Sequence, residues 1–401
     1  MVPKGWEIKH LSELASKISD GIHKTPLYAD TSEIYFINGN NLKSGSIVIQ
    51  DSTKCVDEND AINHRKDLGV RTLLMSINGT IGNLAYYRGE NVVLGKSASY
   101  INIKDSVNLD FIYYVLSSSK TQAFYESELT GTTIRNLSIK SIKSTEILTP
   151  PLPEQKKIAQ ILSTWDKAIS VTEKLLANSQ QQKKALMQQL LTGKKRLLDE
   201  NGVRFSGKWI WLRAAELFKT ISQKNNSEDE ELLAVTQDLG VIPRSMLERR
   251  VVMPDGSTKG YKLVVSGNFI ISLRSFQGGL EYSRYRGLVS PAYTVLTPIK
   301  KIVDEFYMQY YKSYDFIGHL AVAVIGIRDG KQISYEDFSF LKLPYPEIEE
   351  QQKIATVLSA ADDEIATLEK KLACLRDEKK ALMQQLLTGK RRVKVDEAVA
   401  E

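Results

Sequence analysis

Lys183-Lys184-Ala185-Leu186-Met187-Gln188-Gln189-Leu190-Leu191-Thr192-Gly193-Lys194 occurs twice in this chain. The second copy runs unchanged from Lys379 to Lys390, an offset of 196 residues. Upstream, the same offset aligns Glu154-Gln155-Lys156-Lys157-Ile158-Ala159 with Glu350-Gln351-Gln352-Lys353-Ile354-Ala355, and Leu162-Ser163 with Leu358-Ser359. Identity of this length in register is not chance. The chain carries an internal duplication, and the duplication organises everything else.

The repeated part has the period of a helix. In the first copy Ile158, Leu162, Trp165, Ile169, Thr172, Leu176, Ser179, Lys183, Leu186 and Leu190 fall at alternating spacings of four and three. In the second the same positions are Ile354, Leu358, Ala361, Ile365, Leu368, Leu372, Leu375, Lys379, Leu382 and Leu386. A sustained 4-3 spacing is the seam of a coiled coil. Pro150, Pro151 and Pro153 mark one start, Pro344 and Pro346 the other. Gly193 and Gly389 mark the ends, with Lys and Arg placed to suit a helix C-terminus. From Glu154 to Leu191 such a helix is roughly 55 Å long at ~1.5 Å per residue. The seam weakens around Thr172–Lys183, so the helix needs a partner, and its own duplicate is the obvious one. Trp165 falls where the other copy has Ala361, which suggests complementary packing. Met187 and Met383 read as packing residues. Lys183 and Lys379 sit on the seam itself, either to reach an acidic partner or DNA phosphate or to lie along the rod.

The segments ahead of each helix are β-rich and divergent. Ile34–Ile37, Ser46–Ile49, Thr72–Ile77, Leu84–Tyr87 and Ser99–Ile103 read as strands in residues 1–149, punctuated by Asn78-Gly79 and Arg88-Gly89. Leu232–Val235, Val251–Met253, Lys262–Val265, Asn268–Leu273 and Tyr293–Leu296 do so in residues 199–343. Only fragments match: Gly5-Trp6 with Lys208-Trp209, Tyr87-Arg88-Gly89 with Tyr285-Arg286-Gly287, and Leu137-Ser138 with Ile333-Ser334. The organisation expected is therefore α+β: a globular domain (1–149), a central helix (150–198), a second globular domain (199–343) and a C-terminal helix (344–401). A surface repeated without change binds the same thing twice. Two divergent surfaces bind two different things.

Composition narrows the class. The 401 residues are 42% hydrophobic and 25% charged, ordinary values for a globular protein and not for a disordered or fibrous one. The longest apolar candidate, near Leu320–Ile327, is only strand-sized, so no membrane span is expected. Met1–Trp6 lacks the apolar stretch of a secretory signal, and a cytoplasmic location is expected. Cys55 and Cys374 are the only cysteines, too few for a disulfide framework or a multi-cysteine zinc site. The net charge is +6. Residues 1–149 are balanced (16 basic, 16 acidic), whereas residues 150–198 carry 9 basic against 3 acidic side chains. That permits nucleic-acid binding without demanding it.

Catalytic signatures are missing. Gly95-Lys96-Ser97 follows Gly89 with five residues between the glycines, where a phosphate loop needs four. No Gly-x-Gly-x-x-Gly follows a strand, and neither an Asn-Pro-Pro-Tyr clamp nor Gly-x-Ser-x-Gly is present. Pro254-Asp255 lacks a nearby Glu-x-Lys for a nuclease centre. His10, His23, His64 and His319 have no metal-ligand spacing. The chain reads as a non-catalytic protein with no metal site.

This arrangement resembles the specificity (S) subunit of type I restriction-modification systems over essentially the whole chain. The resemblance rests on Pro150-Pro151-Leu152-Pro153-Glu154-Gln155-Lys156-Lys157-Ile158-Ala159 and its partner ending Glu350-Gln351-Gln352-Lys353-Ile354-Ala355. Asp20-Gly21-Ile22-His23-Lys24-Thr25-Pro26, Asn78-Gly79-Thr80-Ile81-Gly82 and Val289-Ser290-Pro291-Ala292-Tyr293 also look like signatures of its target-recognition domains. The second domain lacks Asp-Gly-x-His, which fits a different recognition class. The resemblance implies a DNA reader whose two helices lie antiparallel, relating the halves by a pseudo-two-fold axis. Two modification (M) subunits, which hold S-adenosylmethionine and methylate adenine, dock on the helices. Restriction (R) subunits join with ATP and Mg for translocation and cleavage. No cofactor is expected in this chain. The DNA site is then two short half-sites with a gap. A rod of roughly 55 Å spans at most about sixteen base pairs, so the half-sites lie within one to two turns.

Base reading needs side chains with paired donors or acceptors. The candidates in the first domain are His23, Lys24, Thr25, Asn78, Thr80, Lys96 and Ser97. In the second they are Gln237, Arg244, Arg274, Ser275, Gln277 and Arg284. For any one of them a solvated loop or phosphate contact is the competing role. Arg88 and Arg286 recur in both domains, which favours a shared structural or phosphate role. The seam residues Ile158, Leu162, Trp165, Ile169, Leu176, Leu186, Leu190, Ile354, Leu358, Ile365, Leu372, Leu382 and Leu386 are expected to pair the helices and carry the docking. The rival readings are a protein- or peptide-binding adaptor without DNA specificity and a stand-alone enzyme.

Overall fold

A computed structural model describes residues 2–131, 135–227, 229–247, 258–273, 275–323 and 333–395. Contacts divide the chain into two units, residues 1–172 with 371–401, and residues 173–370. Each unit holds one globular head and a stretch of both long helices.

In the first unit Glu7–His10 pairs antiparallel with Glu146–Thr149. Beyond it lies a four-stranded antiparallel sheet in the order Ala15–Asp20, Ala98–Ile103, Thr72–Ser76, Leu84–Tyr86. Its central strand Thr72–Ser76 is buried throughout, so its side chains serve two cores. Leu73 joins Ile101, Phe111 and Ile142 on one face, while Leu74 joins Ile37, Ala85 and Tyr100 on the other. Helices Leu109–Ser117, Ser119–Ser127 and Ile139–Lys143 begin at capping residues Asn108, Ser118 and Ser138. Each cap's side-chain oxygen accepts a backbone N–H in the first turn.

The second unit repeats this plan with different residues. Ile210–Arg213 pairs with Lys342–Tyr345, and the sheet order is Phe218–Ile221, Thr294–Pro298, Phe269–Ile271, Glu281–Tyr282. Its core is aromatic where the first is aliphatic: Phe218 meets Phe269 edge-on at 5.6 Å and Tyr307 at 5.5 Å. Among the smaller strands a parallel pairing recurs: Tyr35–Ile37 runs parallel to Val92–Leu94 in the first unit, and Leu232 bridges Leu288 in parallel in the second. In the second, Leu233–Thr236 with Gly240–Pro243 and Lys262–Val264 with Gly287–Val289 are antiparallel pairs. The expected strand Val251–Met253 lies outside the described residues.

The long helices span Leu152–Leu190 and Ile348–Leu386, 39 residues each. Every seam position named above is buried or half-buried. Within the first unit the two helices run antiparallel: Ile158 and Leu162 share a core with Leu386 and Leu387, and Lys379 Nζ reaches Asp166 Oδ1 at 2.5 Å. The second unit repeats this with Leu190 and Leu191 beside Ile354 and Leu358, and with Lys183 Nζ on Asp362 Oδ1 at 2.5 Å. So the seam lysines meet acids on the facing helix. Gly193 and Gly389 close the helices in the left-handed region (φ 70° and 68°). The N–H of Lys195 donates back to Gln189 O, and that of Arg391 to Gln385 O. A Cβ on Gly389 would stand 2.4 Å from Pro3 Cγ, so both backbone and space demand glycine there.

One sequence match needs correction. Strand register sets Tyr86 opposite Leu73 and Tyr282 opposite Phe269, and these stand at the same point of the two sheets. Arg88 therefore corresponds to Arg284, not to Arg286. The Tyr-Arg-Gly triplets match as letters, but hydrogen-bond register decides which residues are equivalent.

Candidate nucleic-acid interface

The repeated Glu-Gln pair mounts each head on its helices. Glu154 is buried and accepts from Trp6 Nε1 (3.0 Å) and from Arg392 Nε and Nη2 (2.7 and 2.8 Å). Glu350 accepts from Trp209 Nε1 (2.8 Å) and from Arg196 Nε and Nη2 (2.5 and 2.6 Å). Each arginine also lies over the same tryptophan ring, at 5.6 Å for Arg392 and 5.7 Å for Arg196. Gln155 donates to Pro150 O and accepts the Asn108 N–H. Gln351 does the same with Pro346 O and the Val303 N–H. A buried carboxylate satisfied by an indole and a guanidinium fork is stable only in one geometry. The prolines and the Glu-Gln motif are thus internal fittings. Sequence reasoning placed the motif without its partners, because Arg392 lies 238 residues from Glu154.

With the head fixed at that end, the opposite end of the sheet is free to carry recognition. In the first unit it comprises the loops after Asp20, around Asn38, after Ser76 and before Ala98. A parallel bridge between Ile22 and Gly95 sets His23-Lys24 beside Lys96-Ser97. Ser97 Oγ donates to Asn38 Oδ1 (2.8 Å) and accepts the Gly39 N–H (3.0 Å). Thr80 Oγ1 donates to Gly39 O (2.9 Å), and Asn78 bridges to Asn136. Thr80 and Ser97 therefore hold the loops together. His23 Nε2 lies 2.8 Å from Asp20 Oδ2, and His23, Lys24, Thr25 and Lys96 are exposed. These seven candidates meet at one end of the sheet. Arg88 does not; it lies beyond the far end of the edge strand, 5.7 Å over the Tyr86 ring.

The second unit assembles its own set. Gln237 occupies the turn between Leu233–Thr236 and Gly240–Pro243, and its side chain packs against Gly278 at the end of helix Ser275–Gly278. Lys312 Nζ ties these segments, donating to Gln237 O (3.2 Å), to Gly278 O (3.0 Å) and to the Glu281 carboxylate. Burial pushes the Glu281 carboxyl up to about 7, against the pull of the Lys312 ammonium. Ser275 is buried and its Oγ accepts the Ser272 N–H at 2.8 Å, a structural use. Arg244 is half-buried at the far end of the hairpin. Arg284 lies 5.5 Å over the Tyr282 ring, as Arg88 does over Tyr86. Arg286 Nη2 is paired with Glu230 at 2.7 Å. Arg274 and the Gln277 side chain lie outside the described residues. Among the described residues no cluster of His, Cys, Asp or Glu is arranged to hold a metal, and no helix is long and apolar enough to cross a membrane.

A profile of the type I restriction modification DNA specificity domain matches residues 3–178 and again residues 195–375. The chain belongs to this family. The profile matches twice, once over each half of the duplicated chain, and each match includes one copy of the Glu-Gln motif. The type I restriction enzyme MjaX specificity subunit of Methanocaldococcus jannaschii is 26% identical over 98% of this chain and 95% of its own. The MjaVIII specificity subunit of the same organism is 24% identical over 98% and 94%. Among solved structures, the S subunit of a type I restriction-modification system from M. genitalium is similar at TM-score 0.59, with 16% identity over 96% of each chain. A chain from a structure of complex assembly and conformational transition in the type I system aligns at TM-score 0.56, with 16% identity over 96% of this chain and 98% of that one. As a specificity subunit, the protein is the non-catalytic DNA-recognition component of a restriction-modification system, and its heads are target-recognition domains.

Proposed function

We propose that each head reads one half of an asymmetric, bipartite duplex site, and that the repeated helices dock two modification subunits. One observation carries this reading. Lys184, Ala185, Gln188, Gln189 and Lys194 are exposed, and their repeats Lys380, Ala381, Gln384, Gln385 and Lys390 are exposed as well. Internal packing places no demand on such side chains, so their identity points to a partner met twice. The loop ends of the two heads share no such identity, as expected of surfaces that choose different sequences. In the first head the exposed His23, Lys24, Thr25 and Lys96 face bases or phosphates, and in the second the exposed Gln237 does. The bound modification subunits supply S-adenosylmethionine chemistry, and restriction subunits add ATP- and Mg-dependent cleavage. Helix length sets the gap between half-sites.

The test exchanges residues 1–149 for the corresponding head of another family member, co-expresses the chimaera with the modification subunit and sequences the methylome. One half-site changes and the other persists. Change in both halves, or in neither, refutes the reading. Four residues inserted into both helices lengthen the gap; methylated sites with an unaltered gap would rule out the ruler.

A further inference from the structure

The loop after the first sheet strand is built differently in the two heads. In the first, the Gly21 N–H donates to Ala98 O at 2.9 Å. Register puts Tyr293 at the corresponding point of the second sheet, since Ser99 faces Met75 as Thr294 faces Ile271. There a side chain takes the carbonyl: Lys262 Nζ donates to Tyr293 O at 2.6 Å. Two backbone bonds then lay residues 223–225 along residues 259–263. The Leu263 N–H donates to Gln223 O (2.9 Å) and the Asn225 N–H to Lys259 O (3.0 Å). Lys224 is thereby set beside Lys262. Asn225, at φ 59°, turns the chain there.

Neither Lys224 nor Lys262 makes an ion pair among the described residues. Burial, and then the nearby Lys224 charge, hold the Lys262 ammonium below the usual lysine range. Neighbouring cations that no carboxylate among the described residues answers favour an anion. Arg286 offers the contrast within the same head, because Glu230 already answers its charge. The pair stands at the end of the sheet opposite the Glu350 mount, where the loops of this head converge.

We propose that Lys224 and Lys262 form a phosphate-binding pair that grips the DNA backbone at the second half-site. The inference rests on the reading of this head as a DNA reader. Lysine is a compact charge suited to phosphate oxygens, and phosphate contacts set register without reading sequence. Gln237 and its neighbours are left to discriminate bases.

The experiment uses the full chain in its methyltransferase complex, with a duplex carrying the site found by methylome sequencing and an unrelated duplex. Affinity is measured across a salt series for the wild type, Lys224→Gln, Lys262→Gln and Lys262→Arg. Each glutamine variant weakens both duplexes several-fold and by the same factor. Each also lowers the slope of log K against log salt by about 0.9. Lys262→Arg keeps a cation and a donor to Tyr293 O, and it retains the wild-type slope. The methylated sequence stays the same. Unchanged slopes, or an altered second half-site, overturn the pair. A wild-type complex that fails to prefer its own site sinks the reading of the head instead, and the slopes on the unrelated duplex still decide the lysines.

Discussion

In the first head the loop end of the sheet is a knot of small residues. A Cβ on Gly39 would lie 2.1 Å from Ser76 Oγ, and one on Gly95 would lie 2.3 Å from Asn38 Oδ1. In the second head the same end is spanned by long side chains, with Lys312 tying two loops and Lys262 taking a carbonyl. At the mounting end the parts are interchangeable: Trp6, Glu154 and Arg392 against Trp209, Glu350 and Arg196. Within the heads, residues recur where a buried polar group has one satisfying geometry, and drift where the two surfaces answer to different targets. The two heads thus separate how a recognition domain is held from what it recognises.

The mounts give the sharpest break. Glu350→Ala leaves the Arg196 guanidinium and the Trp209 N–H without their acceptor, and costs about 3–5 kcal/mol in the second unit. Glu154→Ala costs less, because the Arg392 side chain is 44% exposed and water replaces the lost acceptor, whereas that of Arg196 is 20% exposed. Urea titration with hydrogen exchange of each unit's core amides checks both; equal losses would show that exposure of the arginine is irrelevant.

The seam pairs provide a finer comparison. Asp166 with Lys379 and Asp362 with Lys183 are equivalent, and their carboxylates are about as exposed, at 41% and 44%. Double-mutant cycles with Asp→Asn and Lys→Met give the same coupling in both units, at most about 1 kcal/mol at this exposure. A coupling confined to one unit would mean that the neighbours, Tyr114 Oη on Asp166 and Gln309 Nε2 on Asp362, dominate instead.

The smallest effect is confined to the second head. With its carboxyl raised from the usual 4.5 to about 7, Glu281 binds a proton more tightly folded than unfolded. Its contribution is full below about pH 4.5 and fades as pH rises through 7. Glu281→Gln flattens that slope in thermal melts of the second unit. The first head has Ala85 at the corresponding place and serves as the internal control. A slope unaltered by the substitution would assign the titration to another group.

Much of this was legible from residue order because helix packing has a fixed period. The 4-3 seam named its members from Ile158 to Leu190 and from Ile354 to Leu386, and all of them are at least half-buried. Strands rich in apolar residues, such as Thr72–Ser76 and Phe269–Ile271, were equally visible. Strands of mixed character were not: Glu7–His10 and Ala15–Asp20 exist through partners at Glu146–Thr149 and Ala98–Ile103. The Tyr-Arg equivalence misled for the same reason, since pairing and not lettering fixes what stands where.

By itself, then, the order of residues determined the duplication, the two rods and the divergence of the heads, all of which rest on local period and on identity at a fixed offset. Folding alone decided which cations have acids to answer them, which carboxylates are mounts, and that Lys224 stands beside Lys262. Those facts depend on distances in space between residues far apart along the chain, and charge is felt through space.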